Sequence, residues 1–218
     1  MEKDFWLERW KNEQIGFHEQ EVNIFLTEYW HELQLVPGSK IFVPLCGKSV
    51  DMQWLRSQGH PIIGVELSEK AAIDFFKENG YTSSLAKVNK FDCYQANGIE
   101  IKCGDFFDLG KADLATVKAV YDRASMVALP PEMRQRYVQH MAKILPSKTQ
   151  ILLITFDYPP TEMQGPPFAV TPANVETLYR EYAEIRQLAE TDVLPQNPRF
   201  KSKGLTRLHE SVFLLTLK

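Results

Sequence analysis

The sequence predicts an α/β fold: a mostly parallel sheet with helices on both faces, an antiparallel strand pair at its C-terminal edge, and a helical lid at the N-terminus. Three observations carry this. From residue 40 onward, short apolar runs alternate with helical segments, the rhythm of a parallel sheet covered on both sides. The runs at 183–193 and 205–217 have only a polar loop between them, which suits an antiparallel pair rather than a crossover. Residues 4–35 precede the alternation and read as two helices joined by a turn at Gly16.

In order along the chain, Val22, Phe25, Leu26, Tyr29, Trp30 and Leu33 recur at three- and four-residue steps, a helical stripe that Pro37-Gly38 ends. Residues 40–44 (KIFVP) form a buried strand, followed by the turn Leu45-Cys46-Gly47-Lys48 and a helix over 51–58. A second strand covers 61–66, and Ser68 is placed to cap a helix over 69–79. Residues 91–96 and 99–102 flank Asn97-Gly98 and read as a hairpin. A strand at 118–122, a helix at 131–145 and a long buried strand at 150–156 complete the alternation. The proline-rich loop 158–172, about 15 residues, is long for a compact domain, and loops of that length often serve function. Thr171 and Pro172 then start a short helix, as N-cap and first helical residue. No repeat or linker interrupts this, so we read one domain over 1–218, with 1–36 as a helical cap on a 37–218 core.

Composition narrows the partners. Apolar residues at 44% and charged residues at 24% are ordinary for a globular chain. A net charge of −3 without a Lys/Arg cluster gives no footprint for nucleic acid or an acidic membrane. Three scattered cysteines, no CxxC and five histidines without ligand spacing point away from disulfides and metal. The charged, aromatic start is not a secretory h-region, and no apolar run spans a bilayer. The expectation is a cytoplasmic monomer with reduced thiols that acts on a small molecule.

The chemistry should lie beyond the carboxyl ends of the strands, next to the first. There Gly47 allows backbone to approach a ligand, and Glu66 closes the second strand about twenty residues on, where a carboxylate can take both ribose hydroxyls. Read alone, Glu66 also fits a solvated strand end, and Gly47 a plain turn. One glycine cannot cradle a pyrophosphate as G-x-G-x-x-G does, so an adenosine without phosphates, S-adenosylmethionine, fits better than a nicotinamide dinucleotide. Asp105 and Phe106 could hydrogen-bond and flank adenine, or simply begin a turn and fill the core. Arg123 falls where an anionic substrate would lie, or pairs locally with an acid. Trp6, Trp10 and Phe17 suit a lid or a buried staple.

Taken together, FWLERW and QIGFH (5–18), VPLCGKSVDMQWL (43–55), GHPIIGVELSE (59–69), GDFFDL (104–109), YDRASMVAL (121–129) and GPPF (165–168) resemble the thiopurine S-methyltransferase family, its bacterial branch above all. The resemblance runs end to end and is weaker in the C-terminal third. It implies a class I, Rossmann-like methyltransferase using S-adenosylmethionine and releasing S-adenosylhomocysteine. By the same resemblance Trp10 covers the donor, Leu45 and Gly47 of PLCGK lie at its methionine part, and Glu66 takes its ribose. Phe106 lies by the adenine, Arg123 reaches donor or acceptor, and Phe17 lines the acceptor pocket, with GPPF and its Phe168 closing over it. The implied acceptors are small aromatic or heterocyclic thiols such as thiopurines, and in bacterial members selenium or tellurium compounds, a detoxification role. A thiol acceptor needs no dedicated base, only alignment. The alternatives are a halide, thiocyanate or oxygen methyltransferase on the same fold, a nicotinamide-dependent oxidoreductase, and a nucleoside-binding module without turnover.

Overall fold

The computed structural model describes residues 3–123 and 125–218. The chain begins with α1 (Lys3–Lys11) and α2 (Ile24–Tyr29). Asn23 caps α2, its Oδ1 accepting from the N–H groups of Phe25 and Leu26 at 2.9 and 3.2 Å. The second helix was expected to reach residue 35 but tightens at Trp30–Leu33 into a 3-10 turn, ended by Gln34 in the left-handed region. That turn buries both Trp30 and Leu33, with the Trp30 indole N–H donating to His60 Nε2 at 3.4 Å.

From there β1 (Lys40–Val43), α3 (Asp51–Ser57), β2 (Ile62–Glu66) and α4 (Glu69–Glu78) follow as a parallel unit. Ser68 Oγ accepts from Ala71 N at 3.3 Å, capping α4. Next come β3 (Ser84–Val88), β4 (Phe91–Ala96), β5 (Ile99–Cys103), α5 (Lys111–Leu114), β6 (Val117–Asp122), α6 (Ser125–Ala128), α7 (Pro131–Ile144) and β7 (Gln150–Asp157). The chain ends with α8 (Pro172–Tyr179), β8 (Ala183–Asp192), α9 (Pro198–Ser202) and β9 (His209–Leu217). These form a nine-stranded sheet in the order β3-β4-β5-β2-β1-β6-β7-β9-β8. The central strands β5, β2, β1, β6 and β7 are parallel, and both edges are antiparallel. The chain leaves β1 toward β2 and β5, then returns to the other side of β1 for β6. The crevice between β1 and β6 is therefore the switch point.

Alternation along each strand divides the core into two layers. Ile41, Tyr121, Leu152 and Leu214 pack with Leu26 of α2, Leu55 of α3 and Phe75 of α4. Phe42, Val120, Leu153 and Phe213 pack with Met126 of α6, Tyr137 of α7 and Tyr179 of α8.

Two segments differ from the sequence reading. Strand β3 was not foreseen, because all of its residues are exposed and it shows no two-residue alternation; its pairing with β4 holds it. The polar stretch between β8 and β9 holds α9, and the last strand starts at His209 rather than 205. Leu205 and Leu208 point inward from the connection, which gave them a strand-like look. Among the described residues, no helix is long and apolar enough to cross a membrane.

Candidate active site

Sheet register assembles the site. Val43 pairs with Gly64, so two residues further on the turn after β1 comes level with Glu66. Cys46 N continues the pairing by donating to Val65 O at 3.0 Å. Gly64 leaves the room this turn needs, since a Cβ there would lie 2.7 Å from Cys46 Sγ. Leu45 stands at φ 45°, a conformation uncommon for a large side chain and concentrated at ligand sites. Gly47 follows at φ +52°, and a Cβ there would come within 3.1 Å of the Trp10 ring.

Glu66 is only 6% exposed. Its Oε2 accepts from Gly47 N and its Oε1 from Ser68 N, each at 2.8 Å. Burial pushes its carboxyl upward, and these backbone N–H groups hold it back. A carboxylate has about four acceptor positions, so Glu66 keeps acceptor capacity for a ligand hydroxyl.

On the neighbouring strand Glu66 pairs with Cys103, which sets Asp105 and Phe106 beside it. Asp105 caps the 3-10 turn Phe106–Asp108 through Phe107 N at 2.9 Å and meets Lys3 of α1 at 2.6 Å. Burial would raise the Asp105 carboxyl, but the Lys3 ammonium and the Phe107 N–H together carry it below its ordinary value. Phe106 is buried against Tyr137, ring centroids 4.8 Å apart. The Tyr137 hydroxyl donates to Asp122 Oδ2 at 2.6 Å, Asp122 Oδ1 accepts from Ser125 N at 3.2 Å, and Ser125 Oγ donates to Pro44 O at 3.0 Å. One buried chain of contacts thus ties Phe106, the end of β6 and the turn after β1.

Helix α1 lies over this crevice. Trp10 is 3% exposed and covers Gly47, while Phe17 meets Trp6 and Trp10 edge-on at 5.5 and 5.6 Å. The space beneath is a cavity of about 440 Å³, and a smaller one of about 70 Å³ at the PLCGK turn shares wall residues with it. Trp10, Phe17, Leu45, Gly47, Glu66, Asp105, Phe106 and Arg123 all line the large cavity. Phe168 does not. Its ring folds back onto Gly165, where a Cβ would meet it at 2.5 Å, and Pro166 and Pro167 form the wall instead.

The model for the family described as thiopurine S-methyltransferase matches residues 1–218. The chain belongs to the thiopurine S-methyltransferase family. It is a methyltransferase, and S-adenosylmethionine is its methyl donor. Among relatives so named, that of Nitrosospira multiformis is 59% identical over 215 residues, covering 99% of this chain and 98% of the relative. That of Marinobacter nauticus is 50% identical over the whole of both chains. A Burkholderia thailandensis 1,6-didemethyltoxoflavin-N1-methyltransferase solved with S-adenosylhomocysteine has a TM-score of 0.67 at 12% identity, over 99% of this chain and 87% of that one. A SAM-dependent methyltransferase from Anabaena variabilis gives 0.65 at 14% identity, over 99% and 95%. These two likenesses show the fold, a class I methyltransferase with its antiparallel C-terminal pair.

The protein's residues fit this family's donor. A carboxylate with spare acceptor positions, an aromatic wall and a turn that a Cβ would obstruct are what an uncharged nucleoside attached to an amino acid requires. The thiols beside Glu66 are muted. Burial pushes the Cys46 thiol up, and burial with the Glu66 charge pushes Cys103 up to about 12, so neither is a thiolate at neutral pH.

The structure also adds residues the sequence reading missed. Arg199 and Phe200 of α9 line the cavity, and Arg199 Nη1 donates to Gly16 O of the lid. Asn197-Pro198 was the available signal, a helix start within a stretch read as loop. Glu19 lies 3.9 Å from Arg123 and 3.7 Å from Arg199. Arg123 therefore pairs with the lid and not with its neighbour Asp122. Glu210 of β9 sits opposite Phe156, a wall residue, on the face that carries Tyr121. Burial pushes its carboxyl up to about 7 against the pull of Arg123. Arg123 stays charged: burial would lower it, but Tyr121, Asp51, Glu210 and Glu19 outweigh that.

Proposed function

We propose that this methyltransferase acts on sulfur, transferring methyl to small aromatic or heterocyclic thiols and thiones of the thiopurine type. The carrying observation is the aromatic-walled cavity of about 440 Å³ with Arg123 and Arg199 on its wall, joined to the turn that Gly47 and Glu66 build. A planar sulfur heterocycle suits Trp6, Phe17, Phe156 and Phe200, and the guanidinium groups suit its sulfur or ring nitrogen.

In this reading Glu66 holds the ribose, Phe106 and Asp105 the adenine, and Leu45 and Gly47 the amino-acid end, under Trp10. When bound, the donor supplies a sulfonium methyl, already a strong electrophile. The chain's own residues align the acceptor and keep water out. Alignment of this kind lowers a barrier by as much as about 7–11 kcal/mol, and a lid removes a competing nucleophile. A thiol with some thiolate or thione character needs no base beyond this. Selenium and tellurium compounds extend the same chemistry to softer nucleophiles, a detoxification role suggested by the family resemblance. The proposal includes a single domain with residues 1–36 as its cap, working as a cytoplasmic monomer without nucleic acid.

The test is transfer of labelled methyl from S-adenosylmethionine to a thiopurine, with selenite and tellurite alongside. Transfer to the thiopurine supports the reading. No transfer to any of them, with S-adenosylhomocysteine still bound, moves the acceptor to another class.

A further inference from the structure

Two of the arginines that line the cavity, Arg123 and Arg199, face one carboxylate from the N-terminal segment. Glu19 lies between the first lid helix and α2, and a single oxygen, Oε1, faces both Arg123 Nη2 at 3.9 Å and Arg199 Nη2 at 3.7 Å. The residue borders both the large cavity and the smaller one beside the PLCGK turn. Its side chain is 46% exposed, whereas that of Arg123 is 19% exposed. The distances exceed the roughly 2.7–2.9 Å of a charge-assisted hydrogen bond, so the carboxylate balances the cations without being locked to either.

Arg123 and Arg199 come from the end of β6 and from α9, so no local sequence feature pairs them. An acceptor carrying a fixed negative charge would have to draw on cations that Glu19 already serves, at close range to that carboxylate. An uncharged acceptor meets no such competition and can still take guanidinium N–H donors at its sulfur or ring nitrogen. We propose that Glu19 is a specificity-determining residue that selects uncharged thiols and thiones over acceptors bearing a fixed anionic group. This rests on the sulfur-acceptor reading above and adds the charge class of the substrate. Oxyanions of selenium and tellurium fall on the disfavoured side.

The experiment compares 4-(mercaptomethyl)benzoate with its amide. Both thiols stay protonated at neutral pH, so the pair differs only in the remote charge. Binding to the protein loaded with S-adenosylhomocysteine is followed by calorimetry, and methyl transfer is measured in parallel. Wild type should bind the amide more tightly. Glu19→Gln should strengthen benzoate binding about tenfold while the amide changes by less than about twofold, a shift between the aqueous and near-surface limits for one charge at this range. Glu19→Asp keeps the charge and should retain the preference for the amide, and thermal melting checks that each variant is folded. An unchanged benzoate-to-amide ratio in Glu19→Gln overturns the inference, as does an equal gain for both probes or no binding of either. Absence of methyl transfer by wild type to a thiopurine overturns the sulfur-acceptor reading separately, because charge selection is read from binding without turnover.

Discussion

Glu66→Gln perturbs the cradle at its most constrained group. The wild-type carboxylate accepts one backbone N–H on each oxygen at 2.8 Å. Glutamine can satisfy only one of them, and its amide NH₂ must then face the other donor. A hydrogen bond to a charged group contributes about 1.5–3 kcal/mol, and a buried donor left unpaired costs about 1–3 kcal/mol. Burial already disfavours the ionised carboxylate, and removing the charge returns part of that loss. The expected net destabilisation is about 1–2 kcal/mol, or roughly 2–8 °C in melting temperature for a chain of this size. A fold defect alone would produce that much, so the decisive assay is a cycle on the ligand. S-adenosylhomocysteine and its 2′-deoxy analogue are titrated into wild type and variant. If Glu66 holds the ribose, wild type should favour the hydroxylated ligand by about tenfold, and the variant should lose most of that preference. Equal discrimination in both proteins would refute the assignment of Glu66, whatever the melting curves show.

Other predictions concern the same crevice. Gly47→Ala forces an L side chain to φ +52° with its Cβ 3.1 Å from Trp10; the backbone cost of about 1–2 kcal/mol should lower the melting temperature by several degrees, and displacing Trp10 should weaken S-adenosylhomocysteine binding by calorimetry. Glu210 has its folded-state carboxyl raised to about 7 from 4.5. The folded chain therefore holds a proton the unfolded chain has released, and stability falls as pH rises from about 4.5 through 7. Glu210→Gln should remove that loss, gaining on the order of 1–3 kcal/mol at pH 8 and almost nothing at pH 4 by denaturant titration, given that one pKa unit is about 1.4 kcal/mol; an equal gain at both pH values would contradict it. Arg123→Ala should reduce kcat/KM for a thiol acceptor by roughly 10–100-fold while the fold survives, as loss of one charged contact implies. Unchanged kinetics in a folded variant would remove Arg123 from the acceptor site.

Leu45-Cys46-Gly47 and Glu66 were legible in the sequence because their relation is local: a strand, a turn, a helix and the next strand, with parallel pairing leaving one place for the carboxylate. Asn97-Gly98, Ser68 and Thr171-Pro172 were legible for the same reason, since turn and cap chemistry are written in adjacent residues. Strand β3 was not, because it is fully exposed and owes its form to pairing with β4 rather than to a buried face. Phe168 read as a wall residue from its motif, yet its ring lies against Gly165 and it is not among the residues that line the cavity.

Alone, then, the sequence determined the alternation of strands and helices, the single-glycine turn after β1, and the placing of a carboxylate at the end of β2. Each follows from periodicity or from the chemistry of neighbouring residues. Tertiary structure decided which distant groups meet: Tyr137 with Asp122 and Phe106, Glu210 on the face shared with Tyr121, and Glu19 between Arg123 and Arg199. Those encounters join the N-terminal segment, the end of β6 and the α9 connection before the last strand. Only sheet order and the packing of α1 and α9 bring them within reach, and no spacing along the chain encodes a distance across a crevice.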